Sequence, residues 1–221
     1  MKDGILYAGR LRRMYEGFLR ASPKPQVPEP DDPLRRLGIA ILGVECGEVK
    51  AERAVERLFS TMVDWNEVRV SNRHEIARAL GNMIPDGVKR SQRLIDALQS
   101  VFQHENRLSL DRLKSIGRRE ARQYLEQLDG VDEFAVASVV LWSIGGHAIP
   151  VDDRLLQALR DADLTHPTAD RGEVQAFLER HINVAESKEF TIVMRSFPKD
   201  KGTKTKRGKP PATIRTRKKA Q

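Results

Sequence analysis

Residues 128–152 read LDGVDEFAVASVVLWSIGGHAIPVD, and the fold prediction rests on this stretch. Gly130 permits a tight turn after a short helical segment, and a long uncharged run follows the turn. The Gly145–Gly146 pair and Pro150 end that run, and Asp152 stands where a further helix begins. The stretch therefore predicts two helices joined by a glycine hairpin, then a loop, then a carboxylate at a helix start.

The uncharged run from Phe134 to Val151 has two interpretations, a membrane span or a buried helix. A span needs about 20 apolar residues. The glycine pair and the proline leave only about a dozen helical residues, which is too few to cross a bilayer. We therefore expect a buried helix and no membrane association.

The composition indicates a helix-rich protein, and we expect no cofactor and no iron–sulfur cluster. Of the 221 residues, 32% are charged and 5% are aromatic. A single cysteine, Cys46, excludes an intrachain disulfide and any four-cysteine zinc or iron–sulfur site built from this chain. The first 20 residues are interrupted by charges throughout, unlike a signal peptide. We expect an intracellular protein of the cytoplasm or nucleoid.

The net charge of +8 comes from one end of the chain. Residues 199–221 carry ten Lys or Arg against one Asp, which is +9, so the other residues carry −1. From Pro198 onward no apolar face is present, which predicts a disordered basic tail over 198–221. We expect the tail to bind nucleic acid in a salt-sensitive manner; a solubility role or a different partner stays open. The candidate contacts are Lys206, Arg207, Arg217 and Lys218.

Apolar residues at helical spacing predict an almost all-α chain, since strand patterns are nearly absent. Residues 22–33 hold five prolines and predict an extended connection. Pro33 then opens a very apolar helix that we expect at the centre of the core. The first helix spans 5–19, and its apolar side is expected to comprise Ile5, Leu11, Met14, Tyr15 and Phe18.

Several polar residues are candidate helix caps. Ser71 is expected to cap the following helix, and Asp86 the next one. Asp170 and Glu173 have the spacing of a capping box. The segment FTIVMRSF, residues 190–197, fits a last helix or a strand.

The hairpin and the carboxylate resemble the helix-hairpin-helix DNA glycosylases of the endonuclease III superfamily. Their pattern is a hairpin of the type L-P-G-V-G, a buried helix, a Gly/Pro-rich loop and V-D. LDGV at 128–131 and PVD at 150–152 match this pattern without a gap in the spacing. Residues 33–59 also resemble the first core helices of the family, and the resemblance covers roughly residues 30–195.

The resemblance implies an all-α, bilobal fold. A helical barrel domain would span 33–146 and end in the hairpin, and residues 1–21 with 147–197 would form the second lobe. Double-stranded DNA would lie across the cleft between the lobes, with the target base flipped out. Backbone N–H groups at the hairpin can bind a phosphate. The expected DNA contacts are Leu128, Gly130, Val131, Asp132, Glu45 and His147.

The resemblance assigns the chemistry to Asp152. A carboxylate there would stabilise positive charge on the sugar, or activate a water, as the N-glycosidic bond breaks. A purely structural interpretation is also open, because an aspartate after a proline turn is a good N-cap. The neighbouring Asp153 is expected to be a solvated acid of the first helical turn.

Departures from the family pattern bear on activity. Bifunctional members carry a lysine two residues after the second hairpin glycine, which forms a Schiff base with the sugar. That position is Phe134 here, so lyase activity is not expected. Asp132 replaces the second glycine; it tolerates a left-handed backbone and puts a negative charge beside the phosphate. Glu45 replaces a glutamine that fills the gap left by the flipped base. The four-cysteine cluster of many members is missing.

Some of these residues also have interpretations that involve no DNA. Glu45 would then be a surface residue and His147 a loop residue. Trp142, Phe134 and Cys46 are expected to pack in the protein interior.

Three functional hypotheses follow. The first is a monomeric, monofunctional-type DNA N-glycosylase of base-excision repair that uses Asp152. The second is a non-catalytic DNA-binding protein on the same scaffold. The third is an RNA-associated protein recruited mainly through its tail. The base that would be removed is not encoded in a pattern that one sequence reveals.

Overall fold

The computed structural model describes residues 4–21 and 24–195, and within them every regular element is a helix. The predicted tail contacts at Lys206, Arg207, Arg217 and Lys218 lie outside the described residues. The α-helices are α1 Gly4–Ala21, α2 Pro33–Gly43, α3 Glu48–Phe59, α4 Trp65–Val70, α5 Arg73–Leu80, α6 Gly87–Glu105, α7 Arg118–Glu126, α8 Glu133–Val139, α9 Asp153–Asp161, α10 Arg171–His181 and α11 Ser187–Arg195. Short 3₁₀ turns occupy Gly81–Met83, Asp111–Lys114 and Val184–Glu186, and a π-helical turn occupies Val140–Ile144.

The buried apolar residues form two clusters, which define the two lobes. The first cluster draws on α2 to α8 and ends at Ala148. The second begins again at Ile149 and joins α1 to α9, α10 and α11. The chain is therefore all-α and bilobal, as predicted. The domain bounds drawn from the sequence stay a prediction.

Helix α2 lies at the centre of the first lobe. Asp32 caps it by accepting a hydrogen bond from Arg35 N at 2.6 Å, and Pro33 occupies the first turn, where its missing N–H costs nothing. All its residues except Arg35 are buried. The prediction of a central core helix is confirmed.

Helix α1 buries a different set of residues from the predicted one. Leu11 and Tyr15 are buried as expected, but Ile5 is 90% exposed and Tyr7 lies in the core instead. Tyr7, Leu11 and Tyr15 are spaced four residues apart, so they share one face, and Ile5 falls outside it.

The predicted caps are confirmed in part. The Asp170–Glu173 capping box is present at α10. Ser71 does not cap the helix after it, since the Asn72 side chain accepts the hydrogen bond from His74 N at 2.9 Å, and Ser71 ends α4. Asp86 stands at the N-cap position of α6 with φ +50°, and its side chain makes no capping hydrogen bond. The described part of FTIVMRSF is helical.

None of the described helices is both long and apolar enough to span a membrane.

Candidate active site

The hairpin between α7 and α8 packs directly against α6. Gly130 has φ +72°, which is costly for residues with a Cβ atom. A Cβ atom there would clash with the Arg93 carbonyl oxygen and lie 3.2 Å from Ala97 N. Only glycine therefore permits both the turn and the close approach to the α6 backbone.

Arg93 of α6 holds the hairpin in place. Its Nε and Nη2 atoms both donate hydrogen bonds to the Gly130 carbonyl oxygen at 3.1 Å. Nη2 also lies 3.0 Å from Asp132 Oδ2 in an ion pair. Helix α6 makes a second contact with the hairpin, because Asp129 N donates a hydrogen bond to Ser100 Oγ at 3.3 Å. The hairpin conformation thus depends on side chains from α6.

Asp132 does not adopt the left-handed backbone that the sequence predicted. Its φ of −105° and ψ of 173° are extended, and its Oδ1 accepts a hydrogen bond from Ala135 N at 2.9 Å. Asp132 is therefore the N-cap of α8, since capping aspartates take this backbone conformation. Its carboxylate thereby accepts a hydrogen bond from Ala135 N, one of the backbone N–H groups at the start of α8 that were predicted to bind a phosphate.

The uncharged run forms α8 and the π-helical turn inside the first lobe. Trp142 is 2% exposed, which confirms its predicted place in the core. Phe134 is half-buried and packs against the first cluster. Gly145, with φ +69°, then ends the π-helical turn, and Gly146 N donates to the Val140 carbonyl oxygen at 2.8 Å.

Asp152 is the N-cap of α9. Its Oδ1 accepts a hydrogen bond from Leu155 N at 2.7 Å, which confirms that Asp152 caps the helix. The side chain is half-buried, and this burial raises the pKa of Asp152, although the Leu155 N–H and the Arg154 charge act in the opposite direction. Asp153 is exposed and lies 3.6 Å from Arg171 Nε. The two adjacent carboxylates therefore occupy very different environments.

No family model and no curated protein matches the sequence. Solved structures do match. An endonuclease III in a non-covalent complex with DNA is 17% identical, with a TM-score of 0.64 over 88% of this chain and 85% of that one. A thermostable thymine-DNA glycosylase is 15% identical, with a TM-score of 0.59 over 89% and 86%. The 3-methyladenine DNA glycosylase MagIII of H. pylori is 16% identical, with a TM-score of 0.59 over 88% and 97%. The chain has the fold of the helix-hairpin-helix DNA glycosylases.

This DNA glycosylase fold accounts for the order of the elements around the hairpin. Gly130 forms the turn, α8 is the second helix of the motif, and Asp152 begins the helix after the Gly/Pro loop. Phe134 lies in the first turn of α8, and its correspondence to the family lysine stays a prediction. Two of the predicted hairpin contacts have side chains that pack in the protein: Leu128 is buried in the first cluster, and Val131 is half-buried against it.

Glu45 and His147, the other predicted DNA contacts, have partners within the protein. Glu45 is exposed and pairs with Arg90 Nη2 at 2.9 Å. The ring nitrogens of His147 lie 2.8 Å from Ser187 Oγ and 2.6 Å from the Glu179 carbonyl oxygen. Both ring nitrogens are thus used within the protein, which opposes a DNA contact through them in this arrangement.

No pattern in the sequence singled out the arginines of this region. Arg93 and Arg90 occur on α6 among other polar residues, and their spacing is that of an ordinary solvated helix face. The structure shows that Arg90 is buried and that Arg93 supports the hairpin. Cys46 is half-buried rather than fully buried, and burial raises the pKa of its thiol.

Across residues 4–21 and 24–195, no group of three or more His, Cys, Asp or Glu side chains is arranged to hold a metal ion. The absence of a cofactor stays a prediction.

Proposed function

We propose that this protein is a DNA N-glycosylase of the monofunctional type, which flips a damaged base out of double-stranded DNA and hydrolyses its N-glycosidic bond. One observation carries the proposal. Asp152, to which the family resemblance assigns the catalytic carboxylate, is half-buried with a raised pKa, whereas the adjacent Asp153 is exposed. A partly desolvated carboxylate is typical of catalytic sites.

The geometry suggests how Asp152 would act. The Leu155 N–H holds Oδ1 at 2.7 Å, and we assign the second oxygen to the reaction. As the bond between the sugar and the base breaks, positive charge develops on the sugar, and a nearby carboxylate stabilises it. The same carboxylate can accept a proton from the water that attacks the sugar. The base leaves with the bonding electrons and the water oxygen joins the sugar.

Water would be the nucleophile because Phe134 offers no amine for a Schiff base. The abasic product would therefore remain in an unbroken strand. We also propose that the protein acts as a monomer inside the cell, where its DNA substrate is found.

The decisive experiment is a base-excision assay. Duplex oligonucleotides carrying uracil, oxidised pyrimidines, 8-oxoguanine, alkylated purines or mismatched bases are incubated with the protein, and abasic sites are cleaved with alkali. Asp152→Asn keeps a capping side chain and removes the charge, so it separates chemistry from capping. We expect product only after alkali, and a loss of about 10²–10⁴-fold in rate in the variant. Asp170→Asn, at the cap of α10, is the matched control and should remain active.

A second function is favoured by the hairpin itself. The Asp132 carboxylate caps α8 and pairs with Arg93, and by the family resemblance Phe134 stands in place of the lysine. A non-catalytic DNA-binding protein on this scaffold would show these features. It would give no product across the panel while keeping salt-sensitive DNA binding, and Asp152→Asn would then leave DNA binding unchanged.

A further inference from the structure

Two guanidinium groups from different lobes lie over the Trp142 ring. The Arg36 Cζ atom is 5.9 Å from the ring centroid, and the Arg195 Cζ atom is 4.5 Å from it. Trp142 is 2% exposed, and its indole Nε1 has no hydrogen-bond partner among the described residues. Cations over the face of a tryptophan are attracted by its ring electrons. The buried indole is therefore held through its face.

Glu48 joins the same two arginines. Its Oε1 pairs with Arg36 Nη1 and its Oε2 with Arg195 Nη2. Arg36 Nε also donates to Asp31 Oδ2 at 2.6 Å. The positive charges of Arg36 and Arg195 are thus balanced by the negative charges of Glu48 and Asp31. Burial alone lowers the pKa of Arg36, but Glu48 and Asp31 more than reverse this, so its pKa is raised.

We name this cluster the interlobe clamp; it comprises Arg36, Glu48, Trp142 and Arg195. Arg36 and Glu48 belong to α2 and α3, and Trp142 to the π-helical turn, all in the first lobe. Arg195 ends α11, whose buried apolar residues Phe190 and Met194 lie in the second cluster, while Ile192 packs against the first. The clamp therefore joins one end of α11 to the first lobe.

The main chain of Arg195 continues the connection to the candidate site. Arg154 Nη2 donates a hydrogen bond to the Arg195 carbonyl oxygen at 2.8 Å. Arg154 lies in the first turn of α9, the turn that Asp152 caps. Through Arg195, the clamp thus reaches within one hydrogen bond of the helix start that holds Asp152.

We propose that Arg195 is a positioning residue, which fixes Asp152 in the cleft by tying the first turn of α9 to Glu48 and Trp142 of the first lobe. The proposal rests on the proposed function. Arg195 suits the role because a planar guanidinium can pair with a carboxylate and stack on an aromatic ring at once, which a lysine ammonium does less well. Loss of Arg195 would leave Glu48 with one partner and free the end of α11.

The first test separates binding from chemistry. Arg195→Met and Arg195→Lys are compared with Arg180→Met, which removes an exposed arginine elsewhere in the second lobe. We expect Arg195→Met to lower the single-turnover excision rate at least tenfold with little change in the Kd for an uncleaved duplex, and Arg195→Lys to recover part of the rate. Arg180→Met should match the native protein. An unchanged excision rate in Arg195→Met would overturn the proposal.

The second test needs no activity. The Asp152 carboxyl resonance, assigned with Asp152→Asn, is titrated by ¹³C NMR. In Arg195→Met, a looser α9 start exposes the carboxyl, so its pKa should move from the raised native position toward that of ordinary aspartate. An unchanged titration in a folded variant would contradict the positioning role. If the native protein excises no base, the proposed function fails, and this titration still decides whether Arg195 positions Asp152.

Glu48→Gln provides a variant on the other side of the clamp, in case Arg195→Met does not fold. It should shift the Asp152 titration in the same direction as Arg195→Met, because Glu48 belongs to the first lobe and is joined to α9 through Arg195. Glu56→Gln, an exposed residue of the same helix, is the matched control and should leave the titration unchanged. A native titration in Glu48→Gln would oppose the proposal.

Discussion

The guanidinium of Arg93 lies 3.0 Å from the Asp132 carboxylate and donates twice to the Gly130 carbonyl oxygen. A helix outside the hairpin therefore holds the glycine turn and neutralises the acid at the start of α8. The acid in turn accepts a hydrogen bond from Ala135 N, one of the backbone N–H groups at the start of α8 that were predicted from the sequence to bind a phosphate. DNA binding at the hairpin would have to compete with this internal pairing.

Removal of the Asp132 charge should strengthen DNA binding. Asp132→Asn keeps a capping side chain for Ala135 N and frees the Arg93 charge for a phosphate. A change of roughly 1 kcal/mol, which is about fivefold in Kd, is expected from one partly exposed charge. Fluorescence anisotropy with a labelled duplex at fixed salt measures it. Asp170→Asn is the control, and equal or weaker binding by Asp132→Asn would show that the hairpin does not contact phosphate.

Gly130→Ala should destabilise the protein more than Gly145→Ala does. Both glycines have positive φ, so each alanine costs about 1–2 kcal/mol of backbone strain. Only at Gly130 does the added Cβ meet the α6 backbone, whereas nothing lies within 4 Å at Gly145. The clash adds roughly 1–3 kcal/mol. Urea unfolding at neutral pH gives both values, and equal losses would mean that the hairpin moves away from α6 freely.

The stability of the protein should respond to pH through Asp152. Burial raises its folded-state pKa, so the folded chain binds more protons than the unfolded chain between the two pKa values. Its contribution is therefore fully present below the ordinary aspartate pKa of about 3.9 and is lost as the pH rises through the folded pKa. Asparagine does not ionise, so Asp152→Asn avoids this loss of stability at high pH and still caps α9. At pH 7 the urea midpoint of the variant should therefore equal or exceed that of the native protein.

The difference between Asp152→Asn and the native protein should shrink as the pH falls below about 4, where both chains carry a neutral side chain at this position. Urea titrations from pH 3.5 to 8 test the trend. A variant that is less stable than the native protein at pH 7 would show that the ionised carboxylate stabilises α9 more than burial opposes it.

Truncation of residues 199–221 tests the basic tail. The segment carries a net charge of +9, so its removal should weaken duplex binding and reduce the dependence of log K on log salt. The excision rate at saturating DNA should stay unchanged, because Asp152 and the hairpin lie in the remaining chain. Complete loss of nucleic-acid binding would instead favour recruitment through the tail alone, as in the RNA-associated hypothesis.

Much of the fold could be predicted from the sequence because its signals are local. Gly130 and Gly145 both require positive φ, and their places in the chain set where helices end. The capping box at Asp170 and Glu173 was visible in four residues. The errors at Ser71 and Ile5 were one- or two-residue shifts, which arise because neighbouring polar residues compete for a cap and neighbouring apolar residues for a helix face.

For the candidate site, the sequence predicted the positions of its residues along the chain but not their burial or their contacts with distant residues. The distance from Leu128 to Asp152 is a property of the sequence, and it placed the carboxylate at the start of α9. That Asp152 is half-buried while Asp153 is exposed depends on what packs against α9, and no local pattern contains that information. The same holds for His147, whose two partners are 32 and 40 residues away.

Local sequence patterns thus account for the helical class, the hairpin turn, the spacing to Asp152 and the phenylalanine at position 134. Only the packing of helices against one another brings Arg93 to Asp132 and lets Glu48 join Arg36 to Arg195. The reason is physical: backbone turns and caps are set by neighbours in the chain, whereas an arginine on a helix looks the same in sequence whether it faces water or a carboxylate of another helix.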